Sequence, residues 1–164
     1  MIRCFGLLLL SFSVFVLGYF KSCSIKRENE IEDGFVLFVT HIKEQLAVSS
    51  LPLSEIYKSF NNEALLSSGF LFELTNGTHD AFYDAMRGKG KDLLKNEKLY
   101  CAVRELSERI GKCPFHLEGA KLCETCLFLM KEEISHKRPK DKTKRELYFK
   151  LSFVLAVFIF LMFI

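Results

Sequence analysis

The sequence has no tryptophan, three prolines and nine glycines in 164 residues. With so few breakers it holds no Pro- or Gly-rich linker, no low-complexity tract and no internal repeat. No stretch alternates apolar and polar residues with period two, which argues against a sheet. No glycine-rich phosphate loop is present either. Arg87-Gly88-Lys89-Gly90-Lys91 is basic and flexible but lacks P-loop spacing and a preceding strand, so it reads as a helix stop with solvated lysines. Charge of one sign is not in excess: 23 basic residues face 20 acidic ones, a formal +3. What is abundant is apolar surface, at 49% of residues with 17 phenylalanines, and that excludes disorder.

The apolar residues concentrate at the ends. Cys4 to Phe20 and Leu151 to Ile164 run for 17 and 14 residues without a charge. A 17-residue helix is about 26 Å long against a hydrocarbon core of about 30 Å, so Ile2 and a flanking aromatic complete a credible span. Starting the second segment at Leu147, with Lys150 reaching to the headgroups, lengthens it to about 27 Å. We expect membrane helices at 2–20 and 147–164 around a cytoplasmic helical domain at 21–146. The 130 residues from Lys21 to Lys150 suffice for one domain and exclude a large multidomain enzyme.

The basic residues give an orientation. Lys21, Lys26 and Arg27 follow the first apolar run, while seven basic and two acidic residues between 137 and 150 precede the second. Both flanks point the middle domain toward the cytoplasm, and the second can rest on anionic headgroups. A cleaved signal peptide is the rival reading, with Val16-Leu17-Gly18 near a cleavage site; Asn76-Gly77-Thr78 would then be a glycosylation sequon rather than a turn. A lipoprotein at Cys23 is disfavoured by Lys21.

Between the ends the spacing predicts roughly six helices. Phe35, Phe38, Val39, Ile42 and Leu46 form one stripe on a helix from about Glu28, whose acidic run to Asp33 suits first turns. Pro52 opens a short helix to Phe60. Leu66, Phe70 and Leu74 form the next stripe, closed by Asn76-Gly77, and Thr78 caps a helix bearing Phe82, Ala85 and Met86 that Gly88 and Gly90 stop. Leu99, Val103, Leu106 and Ile110 follow, ended by Gly111; Pro114 then starts a helix carrying Leu117, Ala120, Cys123, Leu127, Met130 and Ile134. Pro139 predicts a kink or fresh start before the last span. The fold expected is an all-α bundle.

Six cysteines invite a metal reading. Cys113-Pro114-Phe115-His116 and Cys123-Glu124-Thr125-Cys126 make a C-x2-H, C-x2-C pattern, but only six residues separate His116 from Cys123, and Cys123 and Cys126 fall on the apolar face as core thiols. Cys4 and Cys23 read as packing or acylation positions. His41, His79, His116 and His136 lie in no nucleophile motif, and the domain is net acidic outside its tail, which argues against nucleic acid. We assign no catalytic, cofactor-binding or metal residue; a cysteine/histidine metal or redox sensor and an exported, disulfide-stabilised domain are the alternatives.

Several motifs then combine: Gly6-Leu7-Leu8-Leu9 with Gly18, the Pro52-Leu53-Ser54-Glu55 turn, the Asp80 to Met86 helix, Arg109-Ile110-Gly111, and Lys144 to Lys150 running into a terminal apolar helix. In order and spacing they resemble the stage III sporulation protein AB family over essentially the whole chain. The resemblance implies a helical cytoplasmic domain similar to that of the type II secretion F platform protein. It also implies a non-enzymatic membrane adaptor of the channel linking mother cell and forespore. The partners so implied are a secretion-type ATPase and other membrane components, with the domain on the mother-cell side. Loops on a rigid scaffold often carry binding, so the Pro52 turn and the Arg87 to Lys91 loop are the expected contact regions.

Overall fold

The computed structural model describes residues 2–49, 51–76, 80–113 and 116–162. Among them all regular structure is helical. The elements are α1 (Ile2–Val48), α2 (Leu53–Ser59), α3 (Glu63–Ser67), α4 (Phe70–Asn76), α5 (Ala81–Ala85), a π-helical turn (Met86–Gly90), α6 (Lys91–Leu93), α7 (Glu97–Ile110) and α8 (His116–Met162). The chain divides into two compact units: a terminal unit of Met1–Arg27 with Lys137–Ile164, and a central unit of Glu28–His136.

In the central unit the long stripes pack as their spacing requires. Phe35, Phe38, Val39, Ile42 and Leu46 of α1 meet Leu99, Val103, Leu106 and Ile110 of α7 and Cys123, Cys126, Leu127 and Met130 of α8 in one core. Its centre is aromatic. Phe38 packs against Tyr57, Phe60, Phe70 and Phe82 with ring centroids 5.8, 5.2, 6.2 and 5.3 Å away. The steeper of these contacts are edge-to-face, each adding about 0.5–1.5 kcal/mol beyond its buried area.

Caps fix the shorter elements. Asn62 Oδ1 accepts from the backbone N–H of Leu65 at 3.1 Å to start α3, and Asn96 Oδ1 accepts from Lys98 and Leu99 N–H at 3.0 and 3.5 Å to start α7. Pro52 precedes α2 with φ −65° and ψ 147°. Gly69, at φ +75°, separates α3 from α4, a conformation that costs a side-chain-bearing residue more than glycine.

Five details depart from the sequence reading. The acidic run Glu28 to Asp33 opens no helix: residues 21–33 hold no glycine or proline, so α1 passes through them without an end, and Glu32 is buried. The helix expected to run through Leu66 to Leu74 breaks at Gly69, and the shift in register buries Leu65 while Leu66 stays 57% exposed. Gly88 and Gly90 stop nothing, because Gly90 keeps helical angles (φ −55°, ψ −38°) and the chain widens into the π turn instead. Leu117 is exposed, one turn before the buried stripe begins at Ala120. Pro139 lies inside α8, with no fresh start. Proline removes its own amide donor, which would bond the Ser135 carbonyl, and its ring crowds that carbonyl, but the flanking turns keep α8 one helix. Among the described residues α1 is long and apolar enough to be a candidate membrane span. Gly77, Thr78, His79 and Pro114 lie outside the described residues.

The terminal unit is a close antiparallel helix pair. Ser11 Oγ donates to the Ala156 carbonyl at 2.7 Å, and Phe15 meets Phe149 edge-on with centroids 5.8 Å apart. Gly18 sits so near Ser152 that a Cβ added to it would lie 2.2 Å from the Ser152 Cβ. Small residues, Gly18 on one helix with Ser152 and Ala156 on the other, let the backbones approach. The outward faces are apolar: Leu10, Phe12, Leu17, Phe153, Val154 and Phe158 are all exposed.

Candidate docking surface

α7 begins at the Asn96 cap and is stiffened by two i,i+4 ion pairs, Arg104 with Glu108 at 2.9 Å and Arg109 with Glu105 at 3.1 Å. Its stripe turns inward, which leaves Cys101, Ala102 and Glu105 facing the flank of α8. There Leu129, Glu132, Glu133 and His136 complete an open groove of about 580 Å³. Ala102 and the 46% exposed Leu129 supply the apolar part.

Glu133 is tied in place at one rim. Asn96 Nδ2 and Lys98 Nζ each donate to it at 3.2 Å, and these two hydrogen bonds hold its carboxyl below the usual carboxylate range. Glu105 is held by Arg109, so both rims carry carboxylates in fixed positions. The groove thus combines the apolar Ala102 and Leu129 with carboxylates already paired to Arg109 and Lys98. Sequence spacing shows the i,i+3 and i,i+4 sets Leu129, Glu132, Glu133, His136 and Cys101, Glu105 on single faces. It does not show that α7 brings its set alongside that of α8.

The two expected contact regions fare differently. Pro52 is exposed at the start of α2. The Arg87 to Lys91 segment is not a loop, since it forms the π turn and its end. Lys89 is committed to the fold, donating to the Gly69 carbonyl at 3.2 Å and pairing with Glu73 at 3.3 Å, while Arg87 and Lys91 remain exposed.

Among the described residues the cysteines and histidines do not gather into a ligand set. Cys123 and Cys126 are buried in the core, where burial pushes both thiols up to about 12; Cys126 Sγ donates to the Ala102 carbonyl at 3.5 Å. Cys113 caps the end of α7, its Sγ 3.4 Å from the Arg109 carbonyl, and His116 is exposed at the first turn of α8. His41 shares a 2.9 Å hydrogen bond with Ser59 and packs on Phe60, and His136 lines the groove. Among the described residues no three His, Cys, Asp or Glu side chains converge as a metal site. Cys23 and Cys101 are exposed free thiols, and the Cys4 side chain lies outside the described residues.

No protein-family model, curated protein or solved structure matches the chain.

Proposed function

We propose that the protein is a non-enzymatic platform of a bacterial membrane complex, anchored by helices from both ends of its chain, whose central unit docks a soluble partner. The observation that carries this reading is the terminal unit. It pairs two apolar helices through Gly18, Ser152 and Ala156 and leaves Phe12, Phe153 and Phe158 exposed, a packing suited to lipid rather than water. In this reading the C-terminal segment spans the bilayer beside α1, and the central unit stands on the cytoplasmic side by the positive-inside rule.

The resemblance to the stage III sporulation protein AB family makes the complex the channel between mother cell and forespore, and the partner a secretion-type ATPase. Docking requires an exposed rigid face and no reacting group. We assign it to the groove between α7 and α8, where fixed carboxylates border Leu129.

Co-purification tests this. The protein in detergent should retain a co-expressed secretion-type ATPase, and Leu129→Asp should lose at least tenfold of that retention while leaving the helical circular dichroism unchanged. Retention unaffected by Leu129→Asp removes the groove from the proposal; no retention by the unaltered protein removes the partner.

A further inference from the structure

The terminal unit carries 11 basic side chains and two acidic ones, Asp141 and Glu146. Asp141 pairs with Lys137 at 3.7 Å and Glu146 with Lys150 at 3.8 Å, and the unit has a formal excess of nine positive charges. All but Arg3 of these basic residues follow the apolar stretch of α1 or precede that of α8. Lys21 and Lys26 of α1, with Lys140, Lys142, Lys144 and Arg145 of α8, are exposed. Lys140 and Lys144 stand one turn apart as a like-charge pair, an arrangement that costs stability unless anions neutralise it.

Below this belt lies an apolar groove of about 420 Å³ between the two helices, lined by Phe12, Phe15, Phe153, Val157 and Leu161. Ser11, the polar residue of the lining, donates its hydroxyl to the Ala156 carbonyl. Phe153 is eight residues from Arg145 and Phe15 six from Lys21, or about 12 and 9 Å along each helix, within reach of one lipid. A molecule with a negative head and a hydrocarbon tail fits both features at once.

We propose that the terminal unit is a binding site for anionic phospholipid, with the phosphate headgroup among Lys21, Lys140, Lys142, Lys144 and Arg145 and an acyl chain along the Phe12 to Phe153 groove. This rests on the membrane reading above and adds a lipid selectivity to it. The basic belt binds anionic headgroups electrostatically, and the attraction weakens as salt screens it.

The test uses the full chain in vesicles of phosphatidylcholine and phosphatidylglycerol in equal amounts, followed by native mass spectrometry of the lipid retained. The retained lipid should be enriched in phosphatidylglycerol by roughly threefold or more over the bulk, and the enrichment should fall toward unity in the quadruple variant K140Q/K142Q/K144Q/R145Q. The central-unit variant K58Q/K112Q should keep it. Enrichment unchanged in the quadruple variant, or no enrichment in the unaltered chain, overturns the lipid site. Carbonate extraction of the same vesicles separates the two ideas: protein that resists extraction without lipid preference contradicts only this inference, whereas protein that washes off contradicts the membrane reading itself.

Discussion

The two units are built from the same two long helices and solve opposite solvation problems. The central unit, with 12 basic and 18 acidic side chains, has a formal charge of −6; it turns Phe35, Phe38, Phe70 and Phe82 inward and packs short helices over them. The terminal unit, at +9, turns Phe12, Phe153 and Phe158 outward and keeps small residues between its helices. Large apolar residues at the packing centre are what water selects. Small ones at the contact, with large ones outside, are what lipid selects. On the membrane reading proposed above the contrast is between two solvents, and substitutions in each unit should damage that unit alone.

The largest effect is expected from Phe38→Ala. Its ring touches four other aromatic rings and has no solvent exposure, so removing it should cost the central unit about 3–5 kcal/mol. Chemical denaturation followed by near-ultraviolet circular dichroism would show it, and retention in membranes should not change. Gly18→Val comes next. Added side-chain atoms would overlap Ser152, and overpacking of this kind costs about 1–3 kcal/mol. Detergent-induced unfolding should detect the loss in the terminal unit while the aromatic signal of the central unit persists. Asn96→Ala removes the α7 cap together with one bond to Glu133 and should lower the denaturation midpoint by an amount near 1 kcal/mol.

How far these contrasts were legible follows from the kind of neighbour each residue needs. The stripes Phe35 to Leu46 and Leu99 to Ile110 are long enough for their period to define a face, and the core takes up every residue in them. Short segments offer no such averaging. A single left-handed Gly69 after Ser67-Ser68 is a local stop signal that the stripe through Leu66, Phe70 and Leu74 masks, and it moves burial from Leu66 to Leu65. The Arg87 to Lys91 stretch reads as a stop because glycines usually end helices, yet the Lys89 bonds to Gly69 and Glu73, twenty and sixteen residues back, hold it wound. The docking groove is hidden for the same reason: its two halves lie on α7 and α8, and only tertiary packing sets them side by side.

The thiols provide a milder probe of the comparison. Cys123 and Cys126, held near 12 by burial, should resist an aromatic disulfide reagent at neutral pH until denaturant is added, while exposed Cys101 reacts at once. The smallest expected effect is at acid pH. Hydrogen bonds from Asn96 and Lys98 lower the folded-state pKa of Glu133, so its contribution is present above its unfolded value and lost as pH falls through the folded one. Glu133→Gln should flatten that part of the acid denaturation curve and leave the neutral-pH midpoint nearly unchanged.

The most direct measurement compares two equally exposed apolar residues, Phe158 of the terminal unit and Leu66 of the central unit, each 57% exposed. Spin labels placed at either site in the full chain, reconstituted in vesicles, report collisions with dissolved oxygen and with a water-soluble nickel chelate. The account predicts an oxygen-rich, nickel-poor environment at position 158 and the reverse at position 66. Equal nickel accessibility at both would mean that the two units share one solvent.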